Sequence, residues 1–334
     1  MSAERFWINA WYQKSTWPVL LVPLSWLFRA ISWFRRIILQ WCFQGRPYAV
    51  PVIVVGNISL GGSGKTPLII ALGKAFSEKG YSVGVVSRGY GGASTQYPLV
   101  VTPDTPVGQS GDEPLLIAKK LGCPVVVDPN RARAVETMVK SFSCDFILSD
   151  DGLQHYRLHR DIEIVVVDGS RGFGNGYTLP AGPLREPPRR LKEVDFIVQN
   201  GGIVEPDDPV TYVVHMEPSG LRRFGSTELI GFDQWVESTN IHAVAAIGHP
   251  ERFSESLRLM GFKVDLEPKN DHQALTTRDV KFDDDLPVVI TAKDAVKYQG
   301  LVPDNLWVLE VEMALDNEFV SSLIDCAGPT VTSA

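Results

Sequence analysis

Cysteine is scarce in this chain. The four cysteines, Cys42, Cys123, Cys144 and Cys326, are scattered and form no Cys-x-x-Cys pair. That excludes a disulfide framework and a thiolate zinc site, and it fits a reducing compartment. Long apolar runs are also missing. The uncharged run at residues 18–28 is 11 residues long and stops at Arg29, too short by itself to span a bilayer. No small-residue cleavage site follows it, so a signal peptide is not expected. Positive charge does not dominate either. The net charge of -7 weighs against a nucleic-acid partner. There is no internal repeat and no long low-complexity segment. An apolar content of 44% and a charged content of 21% are those of a globular protein, and 334 residues suggest two domains.

The most informative stretch is 52–67, Val-Ile-Val-Val-Gly-Asn-Ile-Ser-Leu-Gly-Gly-Ser-Gly-Lys-Thr-Pro. Residues 52–55 read as a buried β-strand, and Leu68, Ile69, Ala71 and Leu72 open a helical pattern. Strand, glycine-rich turn and helix is the geometry that holds nucleotide phosphates. Ser59, Leu60, Gly61, Gly62, Ser63, Gly64, Lys65 and Thr66 are therefore the expected ATP-binding residues. The glycines let backbone N–H groups converge on phosphate oxygens. Lys65 is expected to reach the β- and γ-phosphates, and the Thr66 hydroxyl to hold Mg²⁺. The general P-loop pattern has a glycine at the position of Ser59.

Six of the eight tryptophans precede residue 42, and residues 1–46 hold six basic side chains against one acid, Glu4. At helical spacing Leu20, Leu24, Leu27, Ile31, Phe34, Ile38 and Trp41 form one apolar stripe, with Arg29 and Arg36 off it. This describes a helix lying in a membrane interface. The competing reading is a helix that packs on the protein core.

Further strands are expected at 82–86, 98–101, 124–127, 145–149, 162–167 and 195–199, with helices at 111–121 and 131–140. Alternation of short apolar strands and helices gives an α/β, P-loop NTPase-like, doubly wound and mostly parallel sheet. A polar, proline-containing stretch at 201–209 suggests a boundary. Beyond it, strands at 242–247, 262–266, 287–291 and 306–311 alternate with helices at 251–260, 292–299 and 316–325. The expected division is a membrane-interface helix at 1–45, a nucleotide-binding domain with its substrate loop at 46–205, and a smaller α/β domain at 206–330.

Ligands bind such sheets at the carboxyl ends of strands, where Arg88, Asp112 and Asp150-Asp151 fall. Asp150 and Asp151 are preferred to Asp168 as the Mg²⁺ acids, because the polar run Gly152-Leu153-Gln154-His155 follows them. Asp168 is equally readable as a turn acid. Asp112 is either a helix N-cap or a carboxylate that accepts a hydroxyl proton. His272, next to Asp271, is a better candidate than His249 for meeting a carboxylate across the cleft. Arg185, Arg189, Arg190 and Lys192 form a basic cluster suited to a phosphate on the acceptor.

Several of these words occur together in one family. The chain resembles the tetraacyldisaccharide 4'-kinases of Gram-negative bacteria. The resemblance rests on Gly61-Gly62-Ser63-Gly64-Lys65-Thr66-Pro67, Ser87-Arg88-Gly89-Tyr90-Gly91, Gly111-Asp112-Glu113-Pro114, Asp150-Asp151-Gly152-Leu153-Gln154-His155, Gly174-Asn175-Gly176 and Leu179-Pro180-Ala181-Gly182-Pro183-Leu184-Arg185-Glu186. It is close over 50–190 and weaker beyond. The family usually has Asn where His249 stands, and a second histidine where this chain has Gln273.

The resemblance implies transfer of the ATP γ-phosphate to the 4'-hydroxyl of an acylated glucosamine disaccharide 1-phosphate, at the cytoplasmic face of the inner membrane. It implies Asp112 as base with His272 as its partner, Lys65 in catalysis, and Thr66 with Asp150 or Asp151 at Mg²⁺. Arg88, His155, Arg185 and Glu186 then fall to the acceptor lipid. No protein partner is implied. The alternative is a membrane-associated P-loop NTPase switch. Guanine-reading switches need Asn/Thr-Lys-x-Asp, and Thr291-Ala292-Lys293-Asp294 has the wrong spacing.

Overall fold

The computed structural model describes residues 3–13, 15–42, 47–202 and 211–328. Two helices, α1 (Ala3–Tyr12) and α2 (Val22–Cys42), joined through a 3-10 turn at Trp17–Leu21, precede the body. The first half of the body contains β1 (Val52–Gly56), α3 (Lys65–Glu78), β2 (Val83–Ser87), β3 (Leu99–Val101), α4 (Val107–Ser110), α5 (Asp112–Leu121) and β4 (Val125–Val127). It continues with α6 (Arg131–Ser141), β5 (Phe146–Asp150), β6 (Ile162–Asp168) and β7 (Phe196–Asn200). The second half contains β8 (Thr211–Arg223), β9 (Leu229–Ile230), β10 (Asn240–Ala245), α7 (Pro250–Leu259), β11 (Lys263–Pro268), β12 (Val288–Thr291), α8 (Ala292–Ala295), β13 (Leu306–Ala314) and α9 (Asn317–Ala327).

All the described strands join one sheet in the order β11-β10-β12-β13-β8-β7-β6-β1-β5-β2-β4-β3, with β9 beside β8. Pairing is parallel except where β3 meets β4 and where β8 meets β13 and β9. β1 lies between β5 and β6 and is wholly buried. Its alternate residues feed opposite cores: Ile53 and Val55 pack with Leu68, Phe76 and Phe146, whereas Val52 and Val54 pack with Val135, Met138 and Ile147. A strand covered on both faces must be apolar throughout, which is why this run carried so clear a signal.

β8 was not expected from the sequence, and it joins the two halves. Residues 211–214 pair with β7, and from His215 onward the strand pairs with β13. Pro218 and Gly220, both strand-weakening residues, sit at a register shift opposite Val311 and Glu310. The irregularity accommodates them. The expected domain limits at 45/46 and 201–209 fall wholly or largely on residues 43–46 and 203–210, outside the described residues. The 316–325 helix, assigned by sequence to the smaller unit, buries Phe319, Val320, Leu323 and Ile324 in the core of the first half. The helix expected at 292–299 is the single turn α8.

The N-terminal helices correct one expectation and decide another. Together, residues 17–42 make 26 helical residues, long and apolar enough to cross a membrane by length and composition, so the 11-residue argument understated them. Most of the predicted apolar stripe points away from the body: Leu20 is 81% exposed, Leu27 58% and Trp41 80%, while Ile31 borders the groove described below. The core-packing reading is therefore overturned. The opposite face docks instead. Ser25 Oγ donates to the Thr178 carbonyl at 2.8 Å and accepts from Ala181 N at 3.0 Å, and Arg36 pairs with Glu193 at 2.6 Å.

Candidate active site

The phosphate loop leaves β1 at Gly56 and enters α3 at Lys65. Gly61 and Gly64 adopt φ of +100° and +97°, conformations a side chain disfavours. The loop is tied to the segment that follows Gly182. Leu60 N donates to the Pro183 carbonyl at 2.8 Å, and Arg185 N donates to the Ile58 carbonyl at 2.7 Å. Arg185 is thereby held beside Asp151, with Nη1 3.2 Å from its carboxylate. Lys65 Nζ lies 3.4 Å from the other oxygen of Asp151. Burial alone would raise the Asp151 pKa, but Lys65 and Arg185 reverse this and leave it lowered.

Asp150 ends β5 next to Val55 of β1, which sets its carboxylate beside the root of the phosphate loop. It is 2% exposed. Ser87 Oγ donates to Oδ2 at 3.1 Å, and Oδ1 is buried without a partner among the described residues. Burial first, then the charges of Glu113 and Asp151, push its pKa well above the ordinary carboxylate range. A buried carboxylate with an orphaned oxygen fits a cation ligand. Thr66 lies in the first turn of α3, directly after the phosphate loop. Arg131 underpins the acids: its Nη2 donates to the carbonyls of Asp150 and Asp151.

Asp112 is the first residue of α5, with Gly111 as its N-cap. Gly111, not Asp112, is thus the N-cap, although Asp112 Oδ1 accepts from Glu113 N in the first turn at 3.0 Å. The other oxygen, Oδ2, lies 3.0 Å from His272 Nδ1. His249, the other candidate, pairs with Arg171. Lys293 and Lys297 come within 3.7 and 3.8 Å of the same Asp112 oxygen, and Lys293 also bonds Glu113 at 2.9 Å. Burial would raise the Asp112 pKa. The His272 hydrogen bond, and then the lysine charges, bring it below the usual value. His272 is raised in turn, chiefly by that hydrogen bond. Its φ of +59°, rare for a residue with a side chain, aims the ring across the cleft.

Sequence reasoning passed over Lys293 and Lys297. Their signal was present at the end of β12, in the Thr-Ala-Lys-Asp word weighed only as a guanine motif. Its Lys293 and Asp294 are committed to this network, Asp294 through Thr291, Lys297 and the Ala246 amide. Asp168 is a turn acid that accepts from Ser170 and Arg171, and it also makes a bidentate pair with Arg252 at 2.8 Å.

Arg88, His155, Arg185 and Glu186 all line one groove of about 1070 Å³ between α2 and the 178–193 segment. Nine arginines line it, against the acids Asp151, Glu186 and Glu193. Arg88 is exposed to it. Burial, then Arg131, lowers the His155 pKa to about 4, so its ring is neutral near pH 7. Glu186 is different. Its oxygens already accept from Gln154 at 2.7 Å and Tyr156 at 2.8 Å, so in this structure it braces the groove wall.

Residues 17–327 match the family model described as Tetraacyldisaccharide-1-P 4'-kinase. The tetraacyldisaccharide 4'-kinase of Hahella chejuensis is 43% identical over 320 residues, covering 94% of each chain. That of Legionella pneumophila is 44% identical over 315 residues, covering 94% of this chain and 95% of its own. A solved structure of LpxK from Aquifex aeolicus in complex with ATP superimposes with a TM-score of 0.78 at 28% identity, covering 93% of this chain and 99% of that one. The match spans nearly the whole chain, and the chain belongs to the tetraacyldisaccharide-1-phosphate 4'-kinase family.

Proposed function

We infer that this chain is an ATP-dependent kinase of lipid A biosynthesis. It moves the γ-phosphate of ATP to the 4'-hydroxyl of a tetraacylated glucosamine disaccharide 1-phosphate. Family membership supports the reaction. The observation that carries the mechanism is the Asp112–His272 contact at 3.0 Å, on the same side of the sheet as Lys65.

In this reading the loop amides from Ser59 to Thr66 hold the triphosphate, and Lys65 leaves Asp151 for the phosphate. Asp112 takes the proton of the attacking hydroxyl, the new O–P bond forms, and the bond to the β–γ bridging oxygen breaks to release ADP. Asp112 suits the base because its lowered pKa keeps it ionised, and His272 orients it. Thr66, Asp150 and Asp151 would hold Mg²⁺, which supplies charge neutralisation when bound. Arg88, Arg185 and His155 line the groove where the phosphorylated sugar would lie, and Glu186 keeps that wall in shape.

The exposed stripe of α2 supports attachment to the cytoplasmic face of the inner membrane, with acyl chains reaching the groove along that helix. Residues 46–205 would form the nucleotide domain and 206–330 the unit that closes on it. β8, where pairing passes from β7 to β13, would be the pivot. The test is incubation with γ-labelled ATP and a bacterial lipid extract. A labelled lipid is the expected product, and release of phosphate alone would favour a hydrolytic switch.

A further inference from the structure

Arg171 lies outside the sequence motifs of the phosphate loop and the groove. It sits in the turn after β6, where its N–H donates to the Asp168 carbonyl at 3.2 Å. Its guanidinium lies against the phosphate loop. A Cβ built on Gly61 would stand 2.9 Å from Nη2 and 3.2 Å from Nη1. Two contacts hold it there. The Tyr12 ring of α1 packs 4.4 Å from Cζ, and His249 Nε2 pairs with Nη1. Nη2 is buried and has no hydrogen-bond partner among the described residues. A permanently charged group with a buried, unused donor is costly unless a ligand accepts from it. Gly61 belongs to the loop expected to wrap the transferring phosphate, so that ligand would be a phosphoryl oxygen.

The support comes from the other half of the molecule. His249 immediately precedes α7, and Arg252 in its first turn makes the bidentate pair with Asp168. The start of one helix therefore fixes both ends of the Asp168–Arg171 turn. Burial, then Arg171 itself, lowers the His249 pKa to about 4. The ring is neutral near pH 7 and can accept the Arg171 N–H.

We propose that Arg171 is a catalytic arginine supplied within the chain, donating from Nη2 to the equatorial oxygens of the phosphoryl group in transfer, and that His249 is its positioning residue. This rests on the kinase reading above. No bond to Arg171 forms or breaks. The O–P bond forms, the β–γ bridge breaks, the proton goes to Asp112, and Arg171 meets the charge that spreads over the equatorial oxygens. Because His249 and Arg252 come from the second half, the arginine would be fully seated only when the halves are together.

The experiment compares Arg171→Ala, Arg171→Lys, His249→Ala and His249→Asn in the full-length enzyme. It measures kcat, KM for ATP, binding of ADP with aluminium fluoride (a mimic of the phosphoryl group in transfer), and thermal stability. Arg171→Ala is expected to lose about 100-fold or more in kcat with little change in KM for ATP. Its affinity for ADP–aluminium fluoride should fall by a similar factor while affinity for ADP holds. Added guanidinium ion should restore part of the rate, and Arg171→Lys should remain impaired because it lacks the planar fork. His249→Asn, which keeps an acceptor, should outperform His249→Ala.

Unchanged kcat in Arg171→Ala would overturn the proposal. So would equal losses of ADP and ADP–aluminium fluoride binding, or a loss that follows thermal stability and is not rescued by guanidinium. A wild-type protein that transfers no phosphate to lipid would instead defeat the kinase reading beneath it.

Discussion

Asp112 Oδ2 and His272 Nδ1 meet at 3.0 Å across 160 positions of sequence. One stands at the start of α5 in the first half, the other in a loop after β11 in the second. Neither half alone contains the pair, so the proposed chemistry requires both halves. Tyr90, from the Arg88–Gly91 turn, packs against the His272 ring at 5.3 Å, which fixes the histidine from a third side.

If the two act as one unit, Asp112→Ala and His272→Ala should each lower kcat by roughly 100-fold or more, with little effect on KM for ATP. The double variant should be scarcely worse than the more damaged single variant. Steady-state kinetics on all three would decide, and fully multiplicative losses would refute the pair.

The same contact sets a pH dependence. The Asp112 pKa lies below its ordinary 3.8, so its stabilising contribution is present above that value and is lost as pH falls through the lowered one. The His272 pKa lies above 6.5, so its contribution is complete below 6.5 and is lost as pH rises through the raised value. The pair should therefore stabilise most between these limits. Removing His272 removes the hydrogen bond that lowers Asp112, so the acid limb of the kcat/KM profile should shift to higher pH in His272→Ala. Lys293→Met should shift it in the same direction, by loss of charge. A limb that stays in place in both variants would exclude Asp112 as the titrating base.

Much of the first half was legible because parallel strands buried on both faces have an unmistakable composition. The apolar runs of β1, β4, β5 and β6 are Val, Ile and Leu apart from Phe146, with Glu163 the one interruption, and each gives way to a polar residue at its end or just beyond. β8 was not legible. Its burial is irregular along the strand and it contains Pro218 and Gly220, so neither alternation nor an apolar run marks it. The ion-pair network around Asp112 was hidden for a different reason. Lys293 and Lys297 are ordinary surface residue types, and only the fold brings them to Asp112; the same holds for Arg171 beside the phosphate loop. Spacing carries local structure well, but it does not show which loops meet.

Lys65 pairs with Asp151 at 3.4 Å, so the loop lysine has a protein partner where its phosphate would be. Lys65→Ala should lower turnover by about 1000-fold while leaving the fold intact, because no core contact is removed. Circular dichroism and thermal unfolding would check the fold, and lipid phosphorylation the rate. Normal turnover in a folded Lys65→Ala protein would remove the loop from phosphate binding.

A simple deletion of the N-terminal segment would be ambiguous, because Trp11 donates to the Pro180 carbonyl at 3.1 Å and Ser25 bonds residues 178 and 181. Deletion would strip the groove as well as any membrane contact. The two faces of α2 can be tested separately. Leu24, Leu27, Ile31 and Ile38 are 53–58% exposed, so changing them to Ser removes little packing within the protein. Each substitution should cost about 1 kcal/mol or more of interfacial binding, so the four together should release most of the protein from vesicles. ATP binding should persist. Ser25→Leu should do the reverse: the apolar stripe is untouched, but the docked face loses its bonds to the 178–181 turn. That variant should still sediment with vesicles while lipid phosphorylation falls, since α2 would no longer close the groove. Sedimentation of the fourfold Ser variant as complete as that of the wild type would show that the stripe is not the membrane contact.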